Sequence, residues 1–90
     1  MAKHTQREAI CSQVARLLRE ERERQGLSMT LLAEKCGLSQ PMIGYVEQEA
    51  RNPSLDTLLR ITEALQIPLA EVIATATRAA CQFVYISIEL

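Results

Sequence analysis

The sequence has few of the residues that build catalytic and metal sites. Its 90 residues include one histidine, His4, no tryptophan, two tyrosines and one phenylalanine. It carries no nucleophile motif and no glycine-rich phosphate loop, so an enzyme is not expected. The three cysteines, Cys11, Cys36 and Cys81, are widely spaced and each lies among apolar residues, which is typical of reduced thiols in a core. Neither a metal nor another cofactor is therefore expected.

Long apolar runs are missing as well. No run approaches the roughly 18 uninterrupted apolar residues that a membrane-spanning helix needs. The first residues lead directly into charged sequence without an apolar signal segment, so we expect a cytoplasmic protein with no membrane partner. With 48% apolar residues and few glycines or prolines, the composition is typical of a helical globular domain. A chain of this length is marginally stable alone and leaves little room for a ligand domain, so we expect a partner subunit and no small-molecule ligand.

The chain also lacks an excess of positive charge. Its formal net charge is -1, which argues against a protein that binds polyanions without specificity. Residues 1–51 hold eight Lys or Arg and seven Asp or Glu, whereas residues 52–90 hold two and four. The N-terminal half is therefore expected to face any phosphate groups. The alternating Arg and Glu residues of positions 16–24 predict a salt-bridged helix face.

Capping signals followed by apolar residues at helical spacing predict five helices. The predicted starts are Thr5, which forms a capping box with Glu8, and Ser28, Ser39, Ser54 and Pro68. Gly37 lies where a left-handed residue is needed to reverse the chain between the second and third helices. On the third helix Ile43 and Val46 are expected to face inward, with Met42 as a further candidate. Its expected outer face consists of Gln40, Gly44, Tyr45 and Gln48.

After about residue 80 the apolar period changes from helical to alternating. Residues 82–90, "QFVYISIEL", place Val84, Ile86, Ile88 and Leu90 on one side, which predicts a strand. Because a lone strand leaves its amides unpaired, we expect antiparallel pairing with the same strand of a twin subunit. Residues 1–81 would then form the main domain and residues 82–90 the dimerisation segment, through Phe83, Val84, Tyr85, Ile86 and Ile88. The alternative is that these residues continue the fifth helix or form an irregular tail.

Five segments carry a family resemblance: "GLS" (residues 26–28), "LAEKCGLS" (32–39), "IGYVE" (43–47), "RNPSLDTLLRI" (51–61) and "EALQIPLAEV" (63–72). In these segments the sequence resembles the helix-turn-helix family of phage repressors and Cro, the XRE-like regulators. The resemblance spans most of residues 10–73. It implies an all-α, five-helix, lambda-repressor-like DNA-binding domain whose third helix enters the major groove of double-stranded DNA.

The resemblance also implies the roles of individual residues. Gln40 stands at the leading base-reading position, where its amide can pair with an adenine. Arg22 and Glu47 match a buried pair that ties the first helix to the end of the recognition helix. The implied DNA contacts are Ser39, Gln40, Pro41, Gly44, Tyr45, Gln48, Arg51 and Asn52. Arg51 and Asn52 could instead only shape the turn after the third helix.

The chain departs from the family pattern at a few positions. Met29 replaces a glutamine that contacts phosphate at the start of the second helix, and Gly44 replaces a polar reader. Gln66 stands where the family usually has glycine before the fifth helix. Base reading by only one or two side chains is therefore expected.

Two classes of function remain open from the sequence. The leading hypothesis is a homodimeric, sequence-specific transcriptional regulator, acting as a repressor or autoregulator at a palindromic operator. Within the same chemistry the chain could be an antitoxin or the controller of a restriction-modification operon. The other class is a protein-interaction module on a helix-turn-helix fold that has lost DNA reading, with Leu31, Met42 and Tyr45 as its contact patch.

Overall fold

The described part of the chain folds into five helices, as the capping signals predict. The computed structural model describes the backbone of residues 5–89 and the side chains of residues 5–81. The helices are α1 (Gln6–Arg24), α2 (Met29–Cys36), α3 (Gln40–Glu47), α4 (Leu55–Leu65) and α5 (Leu69–Glu89). Within the described residues, none of the helices is both long and apolar enough to cross a membrane.

The first four helices begin at the predicted N-caps. The Glu8 amide donates to Thr5 Oγ1 at 3.1 Å, and the Thr5 amide donates to Glu8 Oε1 at 3.0 Å, so the predicted capping box is formed. The other three caps accept a hydrogen bond from the amide three residues further on, namely Ser28 from Leu31, Ser39 from Met42 and Ser54 from Thr57. α5 begins at Leu69, one residue after the predicted start at Pro68.

The core is assembled from buried side chains of every helix. α1 packs mainly against α5, and α2 packs against both α3 and α4. The fully buried large apolar residues of the first four helices are Leu18, Leu32, Ile43, Ile61 and Leu65. On α5 the buried residues include Ala76 and Ala80, whose small side chains let α1 lie close to α5. α2 and α3 pack against each other, and α3 also packs against α1.

The predicted C-terminal strand is wrong. The described residues, 5–89, contain no strand, and α5 continues through Glu89 and across the predicted domain boundary between residues 81 and 82. A helix pairs its own amides and carbonyls, whereas a single strand needs a partner. Val and Ile favour a helix less than alanine does, by at most about 0.7 kcal/mol per residue. This cost is small beside that of leaving the amides and carbonyls of a lone strand unpaired.

The pairing of twin strands is therefore not supported. The alternative, in which these residues continue the fifth helix, describes the backbone up to residue 89. The side chains proposed for dimerisation, those of Phe83, Val84, Tyr85, Ile86 and Ile88, lie outside the described side chains, as does Leu90. Their contribution to a dimer stays a prediction.

The three cysteines are free thiols but do not share one environment. Cys36 is buried and donates to the Leu32 carbonyl oxygen at 3.0 Å, and burial raises the pKa of its thiol. Cys81 is half-buried and accepts from Gln6 Nε2 at 3.2 Å. Cys11 is exposed, so the prediction of a core thiol is wrong there. Its side chain lines an open groove.

Gln66 adopts a backbone conformation that favours glycine. Its φ is 61°, in the left-handed region, where a side chain costs about 1 kcal/mol. Gln66→Gly removes this strain, but glycine also gives the unfolded chain more conformational entropy, which offsets part of the gain. We therefore expect the substitution to raise the free energy of unfolding by about 0.5 kcal/mol. Urea denaturation measures this change. Gln48→Gly is the matched control, because Gln48 also ends a helix but has a φ of -92°. A gain in that control as well would contradict the explanation.

Candidate nucleic-acid interface

The turn between α2 and α3 is closed by Gly37. Its φ of 70° is left-handed, and the Leu38 amide donates back to the Ala33 carbonyl oxygen at 3.0 Å. A Cβ on Gly37 would lie 3.4 Å from Arg60 Nη1, so both the conformation and the space favour glycine. Only three residues, 37–39, thus separate the end of α2 from the start of α3.

α3 presents one buried and one exposed face, as predicted. Ile43 and Val46 are buried in the core. The outward positions comprise the exposed residues Gln40, Pro41, Tyr45 and Gln48 and the half-buried Gly44. Ser39, at the N-cap, is exposed and its Oγ accepts from the Met42 amide at 3.3 Å. The structure therefore brings the α3 residues of the predicted set to a single surface.

The predicted pair of Arg22 and Glu47 is formed. Arg22 Nε donates to Glu47 Oε2 at 2.7 Å, and Nη2 donates to Oε1 at 3.0 Å. A third donor, Nη1, reaches the Leu27 carbonyl oxygen at 2.8 Å. The side chains are only 10% and 4% exposed, and the hydrogen bonds that Arg22 donates to the Glu47 carboxylate raise the pKa of Arg22. One guanidinium thus joins the last turn of α1, the following loop and the last turn of α3.

The loop after α3 lies beside the outer face of that helix. The Arg51 guanidinium carbon lies 4.7 Å from the centroid of the Tyr45 ring, a cation–π contact. Both side chains are exposed, and so is Asn52. The stacking places the Arg51 charge next to the candidate reading residues, a placement that the sequence alone did not indicate.

The same loop is tied to α1 by a contact that sequence reasoning missed. Ser12 Oγ donates to Glu49 Oε1 at 2.6 Å. Glu49 has a φ of 60°, and the following amide, that of Ala50, donates to the Tyr45 carbonyl oxygen at 2.9 Å. The partners lie 37 residues apart, so no local pattern could have revealed them. The contact limits the path of the loop that carries Arg51.

A second missed contact joins α2 to the outer face of α3. Gln40 Nε2 donates to the Met29 sulfur at 3.7 Å. The same sulfur lies 3.9 Å from where a Cβ on Gly44 would be. The sequence shows Met29 only as a departure from the family pattern. Its contact with Gln40 depends on how α2 and α3 cross, which the sequence does not reveal.

The charged face of α1 is salt-bridged, as the alternating pattern predicted. Arg16 contacts Glu20 at 2.7 Å and Arg19 contacts Glu23 at 3.2 Å, both one helical turn apart. Arg24 and Glu21 form a further pair. The pairs Arg16–Glu20 and Arg19–Glu23 are about half exposed, so each contributes at most about 1 kcal/mol. They offset the positive charge of α1, so its attraction for phosphate is weak.

The comparison with known families agrees with this geometry. The model of a helix-turn-helix family matches residues 18–72, which include α2, the turn, α3 and both partners of the Arg22–Glu47 pair. The chain belongs to the helix-turn-helix family. The match confirms the resemblance to XRE-like regulators.

Several helix-turn-helix proteins are similar to this chain. A putative transcriptional regulatory protein of Methanocaldococcus jannaschii is 41% identical over 56 residues, which are 62% of this chain and 18% of that protein. The solved restriction-modification controller protein C.AhdI of Aeromonas hydrophila is 37% identical, with a TM-score of 0.66, over 69% of this chain and 94% of that one. A variant of the protein C.Esp1396I, solved on its highest-affinity operator site, has a TM-score of 0.72 over 81% of this chain and 96% of that one. It is 20% identical, and this likeness concerns the fold.

The family match covers only the start of α5. The family match stops at residue 72, near the start of that helix. The chain spans between 18% and 36% of the lengths of the curated relatives it matches. What is shared with these helix-turn-helix proteins is therefore the α2–α3 unit and the helices that support it.

Proposed function

We propose that this protein is a sequence-specific DNA-binding transcriptional regulator that reads a palindromic operator with α3. The observation that carries the proposal is the pairing of an exposed polar face on α3 with a buried clasp, Arg22 to Glu47, at its C-terminal end. A helix that inserts into the major groove needs an exposed reading face and a fixed angle to the rest of the domain. The two features meet both requirements.

The charge of the chain is compatible with this function. A net charge of -1 gives no general attraction to DNA, so binding depends on local groups. Arg51, held against Tyr45, supplies a cation beside the reading face, and the N-terminus of α3 carries a partial positive charge. We therefore expect modest affinity that falls steeply as salt rises.

The test is a selection of random duplexes by the full chain, followed by fluorescence anisotropy with the enriched sequence. We expect Gln40→Ala to reduce discrimination at one base pair by about 1 to 3 kcal/mol, because it removes a base-edge contact. Arg51→Ala should weaken binding to all sequences alike and reduce the salt slope by about 1. Arg78→Ala, on α5, is the matched control and should leave both the base discrimination and the salt slope unchanged. Binding that is indifferent to sequence and to salt would sink the proposal.

We further propose that the regulator acts as a homodimer. Two reading helices related by a two-fold axis would contact half-sites about 34 Å apart. Exposed apolar side chains suited to an interface occur on α4, where Leu55 is 65% exposed and Leu59, one turn later, is 41% exposed. Light scattering should give twice the chain mass for the wild type and a lower mass for Leu55→Ser/Leu59→Ser. A monomer that still binds a palindrome with full affinity would contradict this.

Among DNA-binding roles, the controller of a restriction-modification operon has the most direct support. C.AhdI is a restriction-modification controller and shares 37% identity over nearly its whole length. An antitoxin remains the alternative, and the neighbouring genes would separate the two.

A protein-interaction module is the weaker candidate. Its proposed patch needs Leu31, Met42 and Tyr45 on one surface. Met42 instead packs partly against the core, which leaves a smaller apolar area. Absence of any duplex binding at low salt would favour this role.

A further inference from the structure

Met29, the first residue of α2, lies beside the outer face of α3, the face that we propose reads DNA. The Met29 sulfur lies 3.7 Å from Gln40 Nε2 and 3.9 Å from the point where a Cβ on Gly44 would be. Gln40 is exposed, while Met29 and Gly44 are half-buried. Two separate contacts therefore place the thioether between the leading reading residue and the gap left by the glycine one turn later.

In the contact with sulfur, the Gln40 amide turns its nitrogen towards Met29. A thioether has no proton and can only accept a hydrogen bond, so the amide nitrogen faces Met29 and the carbonyl oxygen faces elsewhere. One of the two N–H donors is used by the sulfur. The amide thus retains one donor and one acceptor for a base edge.

That remaining pattern distinguishes the purines. In the major groove adenine presents an acceptor at N7 and a donor at N6, whereas guanine presents two acceptors. The remaining donor and acceptor of the Gln40 amide complement adenine. Opposite guanine, the amide oxygen would face a second acceptor and could not form a hydrogen bond. The Met29 contact therefore favours adenine at the base pair that Gln40 reaches.

Gly44 concerns the other base of the same pair, thymine. Without a Cβ, Gly44 leaves a shallow depression on α3, and the Met29 thioether lies at its edge. Thymine, the partner of adenine, projects its 5-methyl group into the major groove. A soft, polarisable thioether is suited to contact a methyl group.

We propose that Met29 and Gly44 add two elements to the adenine contact that the family resemblance implies for Gln40: Met29 orients the Gln40 amide, and Met29 together with the Gly44 depression receives the methyl group of the paired thymine. The inference rests on the proposed DNA-binding function and specifies its substrate. Met29 acts here as a positioning and specificity residue in place of a phosphate contact.

The probes are duplexes of the sequence enriched by the wild-type chain. The position read by Gln40 is the one at which Gln40→Ala loses its preference. At this position the wild type should bind A·T about tenfold more tightly than G·C. Deoxyuridine in place of thymine, which removes only the methyl group, should weaken binding by about fourfold.

Two variants separate the two contacts. Met29→Leu keeps an apolar side chain but removes the acceptor, so its preference for A·T over G·C should fall while the penalty for deoxyuridine persists. Gly44→Ala fills the depression and should bring the A·T and A·U affinities together. Its Cβ would make only ordinary contact with Met29, and alanine stabilises a helix relative to glycine, so this variant folds. Circular dichroism checks that both variants remain helical.

The outcomes distinguish this inference from the function on which it rests. If no sequence is enriched, both are overturned. If a sequence is enriched but Met29→Leu keeps the full purine preference, the orienting role is overturned. Equal wild-type affinities for the A·T and A·U duplexes would overturn the methyl contact.

Discussion

Replacing Glu47 with alanine is expected to lower the free energy of unfolding by about 3 to 5 kcal/mol. Arg22 makes two of its three side-chain hydrogen bonds to Glu47 and is only 10% exposed. Without the carboxylate, its guanidinium remains in a largely closed site with the Leu27 carbonyl oxygen as its main partner. A domain of this size has a total stability of about 5 to 13 kcal/mol, so the loss is a large fraction. Urea denaturation followed by circular dichroism measures it.

Two controls identify the buried charge as the cause. Glu20→Ala breaks an exposed pair with Arg16 on α1 and should cost less than about 1 kcal/mol. The double variant Arg22→Met/Glu47→Leu removes both charges and should be close to the wild type in stability, because no unpaired ion is left. A cost below 1 kcal/mol for Glu47→Ala would mean that water reaches the pair and that the clasp is unimportant for stability.

The double variant also separates stability from function. Apolar side chains can fill the site but lack the paired geometry that joins α1 and the loop at Leu27 to the end of α3. If the clasp orients α3, the double variant should lose DNA affinity while remaining as stable as the wild type. Unchanged affinity would assign the pair a purely structural role.

Most of the fold could be predicted because its boundaries depend on local chemistry. Thr5, Ser28, Ser39 and Ser54 each mark a helix start through a hydrogen bond to an amide three residues away. Gly37 marks a helix end through its left-handed φ. Such signals lie within a few residues of sequence and do not depend on the rest of the domain.

The errors arise where distant parts of the chain decide the outcome. Alternating Val and Ile residues after position 83 indicated a strand, but the helix that precedes them continues and pairs their backbone. Cys11 lies one turn before the buried residues Val14 and Ala15 on the same face of α1, yet its thiol is exposed beside an open groove. A local pattern predicts which face a residue occupies and not how far the core extends.

The candidate site divides in the same way. The outward direction of Gln40 and Tyr45 followed from helical periodicity. Their contacts with other residues did not. The contact of Gln40 with Met29 depends on how α2 and α3 cross, and the contact of Tyr45 with Arg51 depends on the path of the loop after α3. These geometric facts have no counterpart in a short stretch of sequence.

Leu32 should be the most sensitive apolar position of α2. Its side chain is 1% exposed and belongs to the core formed with α1, α3 and α4. We expect Leu32→Ala to lower the free energy of unfolding by about 2 to 5 kcal/mol, because the smaller side chain loses transfer free energy and leaves a cavity. The neighbouring Leu31 is 42% exposed, and Leu31→Ala should cost less than about 1 kcal/mol.

These adjacent leucines form a matched pair, since they share a helix and a chemistry and differ in burial. Because α2 supports α3 through this core, Leu32→Ala should also bring the midpoint of thermal unfolding close to the temperature of binding assays. Saturating operator duplex should then restore part of the lost stability by mass action, whereas a scrambled duplex should not. Equal costs for the two substitutions would show that α2 does not pack as described, and the support that it gives to α3 would fail with it.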